Sequence, residues 1–130
     1  MAQYRDAAGW IVLVLVAVVM LFAAAGKLFG FAPPMVMDQL TSYGLDDEIL
    51  IIALAEAVSA VLLVTPRTWS LGILMSSAFW GGAIVAHLTG DDYFSAVAPV
   101  VLLVLTWAGS WLRHPETLSS FNRESHCLHS

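Results

Sequence analysis

Cysteine is nearly missing from the 130-residue chain, where Cys127 stands alone. A lone cysteine allows no intramolecular disulfide and no Cys-x-x-Cys couple, which excludes thiol–disulfide chemistry within this chain. Charge is scarce too. Asp, Glu, Lys and Arg together make up 12% of the residues, against about 25% in soluble domains. The formal net charge of −5 argues against nucleic acid as a partner. The chain has no Gly-rich phosphate loop and no nucleophile motif, and no ligand pair inside its apolar runs to hold a metal or haem. His126, Cys127 and His129 offer soft-metal ligands only in a short polar tail, so no metal site is expected.

What the chain has in excess is apolar surface. Hydrophobic residues reach 59% and mean hydropathy is +0.82, more than a chain of this size can hide from water. Four apolar runs follow one another, beginning with Trp10–Phe29, "WIVLVLVAVVMLFAAAGKLF". Each approaches the ~20 residues that a helix needs to cross ~30 Å of hydrocarbon. The segments "FAPPM", "TPR" and "TGDD" punctuate them. The expectation is an all-α integral membrane bundle of four transmembrane helices, at about 10–31, 45–64, 69–88 and 93–112. They would form one domain over 1–113, followed by a polar cytoplasmic tail over 114–130. "FAAAG" resembles a signal-peptide cleavage site, but Arg5 is neutralised by Asp6 in the short segment before the first run. That run is therefore expected to be retained.

The basic residues are sorted. Arg5, Arg67, Arg113 and Arg123 fall at the termini and between the second and third helices. The other two loops carry Asp38, Asp46, Asp47, Glu48, Asp91 and Asp92. The bias of Lys and Arg toward cytoplasmic loops then puts both termini inside. Trp10, Trp69, Tyr93, Trp107 and Trp111 lie near helix ends, where aromatic belts form. Pro99 is expected to kink the fourth helix by removing a backbone hydrogen bond.

Three ionisable side chains fall inside the apolar runs: Lys27, Glu56 and His87. A charge in hydrocarbon costs a few kcal/mol on insertion scales, so Glu56 must face protein or water, be neutral, or pair. It shares a helical face with Ala53, Ser59 and Ala60, small residues that admit a neighbouring backbone, whereas Ile51, Leu54, Val58, Val61 and Leu62 line the opposite face. Glu56 is thus expected to point into the bundle, about 12 Å below Glu48, with Lys27 and His87 in an outer-leaflet polar cluster. That cluster could be a packing pair, a ligand site or a proton relay, or Glu56 could contact another subunit. Ser77, Gly81, Gly82 and Ala86 are spaced for close helix crossing, either within the bundle or between copies.

"FAAAGKLFGF", "LAEAVSAVLLVTPRTWSLG" and "GGAIVAHLTGDD" together resemble the DoxX-like family of small four-helix membrane proteins, over about Trp10–Arg113. The resemblance implies a compact four-helix bundle in a bacterial or archaeal cell membrane. It also implies kinship with a subunit of a thiosulfate:quinone oxidoreductase and association with redox-defence proteins. The family's marked positions fall on Lys27 with Gly26 and Gly30, on Glu56, and on Gly81, Gly82, Ala83 and His87. A quinone becomes the candidate ligand, with Lys27 and His87 donating hydrogen bonds to its carbonyls and Glu56 exchanging a proton. The chain lacks a catalytic motif of its own, so it would at most be an accessory subunit of an oxidoreductase, working with other membrane subunits. The alternative is a non-catalytic assembly subunit of a larger membrane complex. A small exporter is a poorer match, because the acid lies in the second helix and not the first.

Overall fold

In a computed structural model, which describes residues 1–119, the described residues form helices joined by short connections, with no strand among them. Five α-helices run in order: α1 (Ala2–Phe29), α2 (Pro34–Ser42), α3 (Ile49–Val64), α4 (Trp69–Thr89) and α5 (Val97–Arg113). Short 3-10 turns cover Asp46–Glu48 and Pro115–Leu118. Arg123, His126, Cys127 and His129 lie outside the described residues.

The long helices form a ring in which α1 packs on α3 and α5, and α4 packs on the same two. Gly9, Leu13, Val16, Ala17, Met20 and Ala24 give α1 a buried stripe at three- and four-residue steps. Leu13 and Met20 meet Leu63, Ile73 and Trp80 in the core. The outer surface stays apolar, with Leu15, Phe22, Ile51, Leu74 and Val104 all exposed. A surface of this kind marks a medium other than water. α1 and α4 are each long and apolar enough to cross a membrane. α3, with 16 residues, spans about 24 Å and is led by the acidic turn Asp46–Glu48.

Four features differ from the sequence-based expectation; α3, for one, starts at Ile49 and not at residue 45, because Asp46–Glu48 form a 3-10 turn. α1 starts at Ala2, because the polar segment "AQYRDAAG" is a good helix former that packs on α5. There Gly9 abuts Gly109 and Arg113. The first loop contains the extra helix α2, with Pro34 at its first position, where a missing N–H costs nothing. α5 starts at Val97 and not at residue 93, so Pro99 sits in its first turn and removes no intrahelical bond. The expected kink at Pro99 therefore has no cause.

The close approach of α3 and α4 occurs at Gly72, where a Cβ would collide with the backbone of Leu62 and Leu63. At Gly81 and Gly82 a Cβ would meet nothing within 4 Å. Within the bundle, Gly81 and Gly82 therefore make no close crossing, and the approach of α3 falls at Gly72 instead.

Candidate functional site

α1 and α3 bring the first two ionisable residues together. Lys27 Nζ donates to Glu56 Oε2 at 2.5 Å, and their side chains are 9% and 3% exposed. The neighbours of Glu56 explain the approach. Ala53, Ser59 and Ala60 are fully buried, and the Ser59 hydroxyl is turned back onto the Ala55 carbonyl at 2.6 Å. Ile51, Leu54, Val58 and Val61 face outward. Gly26, one residue before Lys27, is buried beneath the chain reversal. Its carbonyl accepts from the N–H groups of Gly30 and Ala32, both at 3.0 Å, and a Cβ on it would press on Ala32 at 3.3 Å. Gly30, at φ +80°, makes this left-handed helix end.

His87 does not join that pair. Its Nδ1 lies 2.8 Å from the Tyr43 hydroxyl and 3.9 Å from Asp92 Oδ2. Tyr43 also donates to Asp92 Oδ2 at 3.1 Å. Gln39 Nε2 reaches the same carboxylate oxygen and the Ser95 hydroxyl, each at 3.0 Å. The Tyr43 ring rests on Gly90, where any side chain would displace it. The expected single cluster of Lys27, Glu56 and His87 is therefore two clusters. One is an ion pair within the bundle, and the other is a hydrogen-bonded group where α2 meets the α4–α5 connection. Hydrogen bonds from Ser95, then from Tyr43, hold the Asp92 carboxyl below the usual carboxylate range. Partial burial, reinforced by the Asp92 carboxylate, pushes the Tyr43 phenol up.

Lys27 and Glu56 from one cluster and Gln39, Tyr43 and His87 from the other line one cavity of about 450 Å³, walled by α2, α3, α4 and α5, with Trp80 among its lining residues. Gly82, Ala83 and Ala86 widen it, so small residues on α4 serve the cavity and not a helix crossing. Ser77 instead accepts a hydrogen bond from Trp107 Nε1 at 2.9 Å. The Trp80 indole N–H is buried and has no acceptor among the described residues. Free donor capacity in such a place costs about 1–3 kcal/mol. Pro99, in the first turn of α5, completes the wall. Among the described residues, no group of three or more His, Cys, Asp and Glu side chains could hold a metal ion.

Sequence reasoning missed Gln39, Tyr43 and Trp80 as site residues, and it placed Asp92 only among the acidic loop residues. One signal was available. Val36, Gln39, Leu40 and Tyr43 stand at i, i+3, i+4 and i+7 after "PP", which is the spacing of a helix face. All four line the cavity.

At the other end of the bundle the aromatic residues meet cations. The Arg113 guanidinium lies 3.5 Å over the Trp10 ring, and Arg5 lies 5.0 Å over Trp111. Trp69 stacks on His114 with centroids 3.9 Å apart. This pattern fits an interfacial belt.

No curated protein and no solved structure matches the chain significantly. The model of the DoxX-like family matches residues 11–109, which include α2, α3 and α4 entire, α1 from residue 11 onward and α5 up to residue 109. The chain therefore belongs to the DoxX-like family and is a small helical membrane protein.

Proposed function

We propose that the protein is a four-span accessory subunit of a quinone-linked redox system in a bacterial or archaeal inner membrane. Both termini lie on the cytoplasmic side. The cavity carries this reading. Its volume of about 450 Å³ falls in the range of small-molecule sites, and apolar walls with a few polar groups suit a ring bearing carbonyls. Lys27 spends one N–H on Glu56, and an ammonium has three to give. A carbonyl oxygen supplies an acceptor for the remaining ammonium N–H groups, and Glu56 is the group placed to exchange a proton. Electrons come from a partner subunit, since this chain supplies no redox-active side-chain pair in the bundle.

The charge pattern supports the orientation. Asp6 and Arg113 pair at 3.7 Å, so the N-terminus and the end of α5 share one side with Arg5. The acidic turn at Asp46–Glu48 and the Asp91–Asp92 pair lie in the two opposite loops.

The test is titration of the purified protein in lipid nanodiscs with decylubiquinone, read as quenching of tryptophan fluorescence. Saturable quenching that Gly82→Leu abolishes, with far-UV circular dichroism unchanged, is the expected result. Quenching equal in wild type and Gly82→Leu would count against the site.

The open surface at Gly81 favours a second reading, a non-catalytic assembly subunit that receives a neighbouring helix there. Cross-linking from Gly81→Cys into a discrete larger species in native membrane tests it; monomer alone would refute it.

A further inference from the structure

α2 is bound to the rest of the fold differently from every other helix. None of its residues is buried. Its inner side consists of Val36, Gln39 and Leu40, with Tyr43 just after its end, and all four line the cavity. Its outer side, with Met35, Asp38, Thr41 and Ser42, is exposed. The side-chain hydrogen bonds that tie it to α4 and to the α4–α5 connection run from two residues only. Gln39 bonds Asp92 and Ser95, and Tyr43 bonds Asp92 and His87. Asp92 Oδ2 is common to both. Left-handed glycines flank the segment, Gly30 at φ +80° and Gly44 at φ +73°. Neither has any atom within 4 Å of where a Cβ would stand. Both ends are therefore left-handed reversals that glycine adopts without strain, with open space on the side a Cβ would occupy.

We propose that α2 with Tyr43 is the hinged cover of the cavity, and that Asp92 is its latch. A molecule entering the cavity passes under α2 after Gln39 and Tyr43 release the Asp92 carboxylate. A segment held by few apolar contacts and several partly exposed polar bonds opens at lower free energy than a packed core. The cover deepens the functional reading above, because it names the route by which that site is filled. Its test requires no ligand, so the cover and the ligand reading stand or fall separately.

The experiment places a reporter thiol inside the cavity, Ala83→Cys, in a Cys127→Ser background. The protein is reconstituted in nanodiscs, so that both faces meet water, and the rate of reaction with a membrane-impermeant maleimide is measured. Asp92→Ala removes the acceptor shared by Gln39 and Tyr43. It is expected to raise the labelling rate about tenfold or more, tenfold being what ~1.4 kcal/mol of lost latch free energy produces. Tyr43→Phe removes both hydroxyl bonds and is expected to act in the same direction. Asp38→Ala, on the outward side of α2, is expected to leave the rate unchanged. Amide hydrogen exchange of the unlabelled proteins provides a second reading. Residues 34–42 exchange faster in Asp92→Ala while α3 keeps its protection. Equal labelling rates in wild type, Asp92→Ala and Tyr43→Phe would overturn the proposal. So would exchange that quickens across α2 and α3 together, which is global loosening.

Discussion

Replacing Lys27 with methionine leaves Glu56 alone in the bundle, and the structure sets both the size and the asymmetry of the effect. Methionine approximates the lysine stem, so packing against α3 is kept and the charge is lost. Glu56 is 3% exposed, and Lys27 is the only side chain that bonds it among the described residues. It lies about 10 Å below the start of α3 at 1.5 Å per residue, too deep for a short carboxylate to reach the interface. Removing one partner of a buried pair costs about 3–5 kcal/mol, and insertion scales put a membrane-centred acid at about 3 kcal/mol. A loss of about 3 kcal/mol, more than a hundredfold in the folded ratio, is expected. Glu56→Gln is expected to cost less, about 1–2 kcal/mol. It retains an oxygen acceptor, and Lys27, two residues from the end of α1, can extend its stem toward the interface. The double variant Lys27→Met/Glu56→Leu removes both charges and is expected to recover most of the loss. The assay is unfolding in mixed dodecyl maltoside and SDS micelles, followed by far-UV circular dichroism, with the coupling taken from the complete cycle. A cost under about 1 kcal/mol for Lys27→Met, which is what a solvent-exposed pair is worth, would refute the burial argument. So would a double variant no more stable than Lys27→Met alone.

Gly72→Val drives a branched side chain into the backbone of Leu62 and Leu63; a loss of about 1–3 kcal/mol is expected in the same titration. Gly82→Ala meets nothing within 4 Å and is expected to be neutral or stabilising by up to about 1 kcal/mol, since alanine is the better helix former. The latch has a pH dependence of definite sign. The Asp92 carboxyl is lowered in the folded protein, so its contribution is complete above the ordinary value of about 3.9 and is lost only as pH falls below it. Amide exchange of residues 34–42 should therefore accelerate on acidification below about pH 3.9, once the intrinsic rate is removed. An opening rate unchanged on acidification from about pH 5 to below about pH 3.9 would contradict this assignment. Tyr43, whose phenol is raised by partial burial and by Asp92, should ionise above its ordinary value of about 10 in an ultraviolet titration. Tyr43 in Asp92→Asn should ionise closer to that value.

The membrane class, the long helices and the interior position of Glu56 were legible because each rests on composition or on a helical period. Ala53, Ser59 and Ala60 fix one side of α3 whatever surrounds it, and the apolar opposite side fixes the other. α2 was hidden for a different reason. Nine residues of mixed polarity between "PP" and Gly44 carry too short a period to stand out from a loop. The role of Pro99 turned on where α5 begins, a boundary that propensity places poorly. The split between Lys27–Glu56 and Tyr43–His87–Asp92 depended on which partner each side chain finds in space. His87 lies on α4, and its ring nitrogen finds the Tyr43 hydroxyl, a partner that the sequence does not bring to mind because it comes from the loop helix. Gly81 and Gly82 show the complementary failure. Their spacing fits a helix crossing, but spacing does not say whether a neighbour is there. In this fold the neighbour is at Gly72.

The central claim is that the cavity beside Lys27–Glu56 holds a carbonyl-bearing apolar molecule in the cell. The most direct measurement is organic extraction of the protein purified from its native membrane, with quinone quantified against protein by chromatography and mass spectrometry. Wild type is expected to carry quinone in near-stoichiometric amount, and Gly82→Leu, which fills the cavity while leaving the fold intact, is expected to carry none. Quinone present in both at the level of the surrounding lipid would contradict the claim.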